Sequence, residues 1–192
     1  MRYEMLYSGP LLFKTKISQE HIDQVKDLFV LHKSVAHNEA LAGIIEQEYK
    51  IENRSKLCDI LNPYLDAFLH AYKEWYGRIV TVKMHSAWVN IMKAGECNPP
   101  HIHTQCDFSS VFYTDIPKGL KKEAKSYINN GTKPGEILFN LYPGVENFIT
   151  QYSSLPEVGD FYVFPAQLVH SVNTFKSKGN RVSVACNFKL GQ

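Results

Sequence analysis

The sequence predicts a mainly β protein with supporting helices, in which an antiparallel sandwich or barrel carries N-terminal helices packed outside one sheet. Three observations lead there. Up to Gly77 the apolar residues recur at helical spacing. Beyond it come short runs rich in β-branched and aromatic residues, separated by Gly, Pro and Asn. The chain has 192 residues, 44% of them hydrophobic, which suits one compact domain. The expected organisation is a single domain over 1–192, with 1–77 as helical support and 78–192 as the β core.

Taken in order, Ser18 is placed to cap a first helix whose apolar face is Ile22, Val25, Leu28 and Phe29. "NEALAGIIEQEY", residues 38–49, gives a shorter helical candidate. Leu57, Ile60, Leu61, Leu65, Phe68, Leu69, Tyr72 and Trp75 make a longer stripe that stops at Gly77, with Pro63 expected to kink or divide it. The strand candidates are "RIVTVKM", "SAWVNIM", "SSVFYTD", "GEILFN", "DFYVFP", "HSVNTF" and "RVSVACNF". The basic, turn-rich segment Lys118–Gly135 reads as an exposed, mobile insertion. There is no internal repeat and no low-complexity tract.

Composition removes several function classes. The net charge of +2 comes from 21 basic and 19 acidic residues spread along the chain, so no basic footprint or aromatic groove for nucleic acid stands out. Cys58, Cys97, Cys106 and Cys186 lack CxxC spacing and read as reduced thiols. No apolar stretch approaches membrane-spanning length and the N-terminus lacks a secretory pattern. The expectation is a soluble, unprocessed, cytoplasmic protein.

Chemistry concentrates in "NPPHIHTQCDFSSVFYT", residues 98–114. On a strand, alternate side chains share a face, so His101 and His103 project together, and Asp107, Ser109, Val111 and Tyr113 continue that face if the register holds. Imidazole nitrogens suit zinc, copper, iron or nickel, and a site open to substrate needs only three protein ligands. The third candidate is His170, which a hairpin after "VGDFYVFPAQLV" brings back over a barrel mouth. Eleven residues further lies Arg181, whose fork suits a carboxylate. Trp88 and Asn90, on the strand before the ligands, either line the pocket or pack the core. His21, His32, His37, His70 and His85 read as surface or satisfied core residues, and Cys106 falls off the inward face.

"HIHTQCDFSSVFYT" followed by "GDFYVFPAQLVHSVNTFKSKGNRVSVACNF" resembles the double-stranded β-helix (jelly-roll, cupin-like) core of the Fe(II)/2-oxoglutarate-dependent dioxygenases, in particular the prolyl-hydroxylase-like oxygenases of phages and bacteria. The resemblance runs from Trp88 to Phe188, about half the chain. It implies Fe(II) held by a His-x-Asp/Glu pair and a distal His, and an Arg or Lys about ten residues later that binds the far carboxylate of 2-oxoglutarate. His101 and His170 match the histidines, Arg181 matches the carboxylate binder, and Tyr113 resembles the tyrosine that hydrogen-bonds the cosubstrate, with Asn90 beside it. The departure is His103, where the family has a carboxylate. Either His103 fills that slot, or Asp107 supplies the charge and His103 stands behind it.

The implied reaction consumes 2-oxoglutarate and O2, with ascorbate as an accessory reductant, and yields succinate, CO2 and a hydroxylated C–H bond. A protein or peptide substrate is favoured over a small molecule by this likeness, in a bacterial or phage-infected host cytoplasm. Lys118–Gly135 is the expected cover of the site. The alternatives are a cupin-like metal-binding or small-molecule-binding module without oxygenase activity, and a fold kept as an interaction scaffold.

Overall fold

The structure, a computed structural model, describes residues 9–31, 36–37, 41–128, 131–141 and 151–191. In chain order its elements are β1 (Phe13–Lys16), α1 (Gln19–Leu31), β2 (Glu48–Lys50), α2 (Arg54–Tyr76), β3 (Thr81–Met92), β4 (Asn98–His101), β5 (Phe108–Asp115), α3 (Leu120–Ser126), β6 (Ile137–Asn140), β7 (Gln151–Ser154), β8 (Asp160–Pro165), β9 (His170–Val172) and β10 (Arg181–Gly191). The strands form an antiparallel six-stranded sheet, β1-β8-β5-β10-β3-β2, facing a four-stranded sheet, β4-β9-β6-β7.

The helices begin and end where local chemistry satisfies their orphan backbone groups. Ser18 Oγ accepts the His21 N–H at 3.3 Å at the start of α1, and Asn53 Oδ1 accepts the Lys56 N–H at 3.1 Å at the start of α2. Gly77 closes α2 in the left-handed region (φ 65°), donating its N–H to the Lys73 carbonyl at 2.8 Å. Pro63 does not divide α2, which is one helix. Pro63 and Asp59, whose carbonyl loses its donor, are both exposed, so water can replace the missing bond while Ile60, Leu61 and Leu65 anchor the turns on the buried side.

Strand alternation then sorts the large sheet's residues into two layers. Val182, Val184, Cys186 and Phe188 of β10, with Phe108 and Phe112 of β5, meet α1 and α2 in one core. The opposite face sends Val111, Tyr113, Tyr162 and Phe164 towards the small sheet in a second core. Phe68 of α2 sits at the first core's centre, 1% exposed, with its ring 5.1 Å from Phe108 and 5.7 Å from Phe13. Phe68→Ala is expected to lower the unfolding free energy by about 3–5 kcal/mol, measured by denaturant titration. The exposed neighbour change Asp66→Ala should stay within about 0.5 kcal/mol.

The structure differs from the sequence expectation in further places. The helical candidate 38–49 is not helical over its described part. Residues 38–40 lie outside the described residues, Ile44 bridges Cys97, and Glu48 begins β2 on the free edge of β3. "RIVTVKM" and "SAWVNIM" contribute to one strand, Thr81–Met92, because His85 between them is absorbed as a register shift while β10 pairs on either side of it. The first 77 residues supply β1 and β2, the two edges of the large sheet, as well as helices.

Another difference concerns Lys118–Gly135, which is tied down rather than loose. Leu120 and Ala124 are buried, and Glu123 accepts the N–H groups of Lys176 and Ser177 at 2.8 and 2.7 Å. A Cβ at Gly135 (φ 72°) would meet Leu120 at 2.8 Å, so close packing there requires glycine. Residues 129–130 of the segment lie outside the described residues. None of its described residues lines the cavity described next, part of whose wall comes instead from Leu41, Ala42 and Ile45.

Candidate active site

β4 is an edge strand, which is why it tolerates Pro99 and Pro100. They lack N–H groups and fall where the β4–β9 register shifts between Asn98 and His101. The pairing resumes at His101↔His170, so cross-strand register sets these two imidazoles side by side, ring centroids 4.2 Å apart. His103 lies two residues past the strand, pinned by its N–H to the Ala166 carbonyl at 2.9 Å. Its Nε2 stands 3.2 Å from His170 Nε2. One nitrogen from each of the three rings lies within 4.8 Å of the others.

The hydrogen bonds around the rings decide which nitrogens face inward. A backbone carbonyl only accepts, so His101 Nδ1–H donates to the Pro99 oxygen at 2.7 Å and His170 Nδ1–H to the Leu168 oxygen at 2.9 Å. That leaves the Nε2 lone pairs free for a ligand. Asn187 hydrogen-bonds the His103 ring and is itself steadied by Ser109, whose hydroxyl donates to Asn187 Oδ1 at 2.9 Å. Phe164 packs edge-on against His170 at 4.7 Å, and Trp88 lies 5.7 Å from His103.

This donor set fits a divalent transition metal. Cis ligands at about 2.1 Å from an ion sit about 3 Å apart, close to the His103–His170 separation, and lone pairs that face each other repel until a cation lies between them. Burial also keeps the rings unprotonated. It lowers the pKa of His101, takes His103 down to about 4 and takes His170 down to about 3, with the neighbouring imidazoles adding to the last two shifts.

A pH dependence follows for the metal-free protein. In the unfolded chain these histidines take protons below about pH 6.5, whereas in the folded state they refuse them, so stability is complete above 6.5 and falls as the pH drops. Glu48, raised to about 7, acts in the opposite sense as a single group. Melting temperature is expected to decline from pH 6.5 to 5, and His170→Asn should flatten the decline.

Arg181 begins β10 at the base of the same cavity, 2% exposed. Its Nη2 donates to the Tyr113 hydroxyl at 3.2 Å and its guanidinium lies 4.7 Å from that ring's centroid. Its Nε has no partner, and among the described residues no carboxylate pairs with it. Burial lowers its pKa, but an arginine stays charged. Burial pushes the Tyr113 phenol up to about 12, so its O–H remains available to donate. The cavity measures about 420 Å³ and also contains Asn90, whose Oδ1 is buried without a partner.

The structure therefore brings together His101, His103, His170, Arg181, Tyr113 and Asn90 on one cavity. It leaves Asp107 outside. Gln105 takes a left-handed conformation (φ 61°) and turns the chain, so the shared face of His101 and His103 does not continue through Asp107. Asp107 is exposed, and its carboxylate accepts the Leu190 N–H at 2.8 Å. Trp88 lines the cavity while only 4% exposed, so it has both roles weighed for it.

Several cavity residues escaped the sequence reading, His37 and Glu48 among them. His37, read as a surface or satisfied core residue, donates its N–H to the Glu48 carbonyl and lies 5.9 Å from Trp88. Glu48 is 1% exposed, with its carboxyl pushed up to about 7 by burial and by Glu96. The alternation of Ile45, Tyr49 and Ile51 was the available signal for a strand here.

The two facing sheets of a jelly-roll thus bring three imidazoles and a buried cation onto one cavity. Residues 86–187 match the family described as "Putative 2OG-Fe(II) oxygenase". The chain belongs to this family, and is a 2-oxoglutarate- and Fe(II)-dependent oxygenase. A search of curated proteins returns no match.

Solved structures share the fold at low identity. The viral collagen prolyl hydroxylase of Paramecium bursaria Chlorella virus-1, in complex with 2-oxoglutarate, is 13% identical over 92% of this chain and 94% of its own, with a TM-score of 0.60. A Pseudomonas putida prolyl-4-hydroxylase is 14% identical over 93% and 91%, at 0.59. HygX of Streptomyces hygroscopicus, with nickel, 2-oxoglutarate and hygromycin B bound, is 9% identical over 94% and 82%, at 0.57. Among the described residues no helix is long and apolar enough to cross a membrane.

Proposed function

We propose that His101, His103 and His170 hold the Fe(II), that Arg181 holds the distal carboxylate of 2-oxoglutarate, and that Tyr113 and Asn90 complete the cosubstrate subsite. The observation that carries this reading is the orphan Nε of a buried arginine in the same cavity as three converging, unprotonated imidazoles. Such a cation needs an anionic partner, and a dicarboxylic acid with one end at the metal provides it. When bound, Fe(II) supplies the redox chemistry that couples oxidative decarboxylation of 2-oxoglutarate to hydroxylation of a C–H bond.

The chain's own part is placement and exclusion. The Pro99 and Leu168 carbonyls orient the His101 and His170 rings, Asn187 orients His103, and the Tyr113 O–H adds a neutral donor beside Arg181. Phe164, Trp88 and Val111 give the cavity an apolar wall that limits water. The substrate is read as a protein or peptide, by analogy with the prolyl hydroxylases above and with one solved in complex with a peptide fragment from Trichoplax adhaerens. The setting is read as cytoplasmic, and residues 1–192 as a single domain.

The test is purified protein with Fe(II), ascorbate and oxygen, which should release succinate from 2-oxoglutarate slowly even without a primary substrate. One observation favours a second reading: the metal set contains no carboxylate. A cupin-like module that binds metal without turnover would retain the ion and release no succinate.

A further inference from the structure

These roles leave the β2 side of the cavity, beyond Asn90, without a ligand. Glu48 lies on β2 opposite Asn90 of β3, which pairs in turn with Ser183 of β10, so the three form a row across the large sheet facing the cavity. Glu48 is 1% exposed, its Oε2 makes no hydrogen bond, and among the described residues no cation pairs with it. Asn90 Oδ1 and Asn98 Oδ1 line the same cavity and are likewise buried without partners. Burial, and the neighbouring carboxylate Glu96 after it, raise the Glu48 pKa to about 7, and no described cation of the protein offsets this carboxyl.

A buried carboxyl oxygen without a hydrogen-bond partner is costly, ionised or not, unless something fills the place of one. The diacid does not fill it, because like charges repel and Glu48 stands two strand spacings, about 10 Å, from the strand that carries Arg181. Gly43 closes over the carboxyl so tightly that a Cβ there would meet Oε1 at 3.0 Å, so the strip carrying Leu41, Ala42 and Ile45 forms a wall around the acid.

We propose that Glu48 recognises a cationic group, an ammonium or guanidinium, on the primary substrate. The substrate lies with its charged end at β2 and its reacting carbon at the histidines. This rests on the oxygenase reading of the same cavity. Glu48 is then a specificity residue at one end of the cavity and Arg181 the cosubstrate residue at the other.

The test uses the full chain loaded with Mn(II) and 2-oxoglutarate, titrated with probes by ligand-observed NMR. One arm compares acetyl-Gly-Lys-Gly-amide with its Nε-acetyl-lysine form. The other compares 1,5-diaminopentane with its diacetylated form, so the arms distinguish a peptide side chain from a free amine. At least one cationic probe should bind ten or more times tighter than its acetylated partner.

Glu48→Gln, which removes the charge but keeps the shape, should abolish that preference while leaving 2-oxoglutarate affinity within about twofold; Glu48→Asp should retain part of the preference. The proposal is overturned if wild type shows no cationic preference, if the preference survives in Glu48→Gln, or if that variant loses 2-oxoglutarate binding as well. Failure of the wild-type protein to bind 2-oxoglutarate overturns the oxygenase reading first, and this proposal with it.

Discussion

Arg181→Ala is expected to weaken 2-oxoglutarate binding by roughly 30-fold to several thousand-fold, the equivalent of about 2–5 kcal/mol for truncating one partner of a buried charge pair. The argument is local. Arg181 is buried, its Nε lacks a partner, and its Nη2 hydrogen bond goes to a neutral phenol. No described carboxylate competes for it, so its charge is left available to a ligand. The metal should still bind, because Arg181 touches none of the three imidazoles through a hydrogen bond. Succinate release together with a metal titration separates the two effects: loss of turnover with the ion retained supports the role, and unchanged 2-oxoglutarate affinity removes it. Arg181→Lys should recover only part, since an ammonium cannot reproduce the two parallel bonds of the fork.

His170→Ala is expected to have the largest effect on metal. Changes behind the ligands typically cost about 10–100-fold in affinity, and removal of a ligand should exceed that. His170 is the most enclosed of the three rings, 5% exposed, held by the Leu168 carbonyl and packed against Phe164. No described acidic group stands ready to replace it, since the converging set contains only histidines. Titration with Co(II) or Mn(II) should show this loss. Retention of wild-type affinity would mean that the ion is held elsewhere.

How much of this was legible in the sequence depends on which physical signal each residue leaves. His101, His170 and Arg181 could be read because their positions follow strand boundaries, and boundaries are written in Pro, Gly and β-branched runs. The α2 stripe was legible for the same reason, as six of its apolar residues are buried. Pro63 does not divide the helix because a rule for helix interiors weakens on a solvated face. Glu48 was invisible: charge reads as exposure, and only the pairing of β2 with β3 turns this side chain inward. Lys118–Gly135 misled similarly, because its lysines hid Leu120, Ala124 and the Glu123 tie to Lys176 and Ser177. The face running from His101 towards Tyr113 was expected to be continuous, and a single left-handed residue, Gln105, takes Asp107 out of it.

The most direct test is a crystal structure determined anaerobically with Fe(II) and 2-oxoglutarate, the metal located by anomalous scattering at the iron edge. The account predicts one iron peak within bonding distance of a nitrogen from each of His101, His103 and His170, with the cosubstrate's far carboxylate on the Arg181 guanidinium. Iron coordinated by Asp107, or a 2-oxoglutarate molecule that leaves Arg181 untouched, would contradict it.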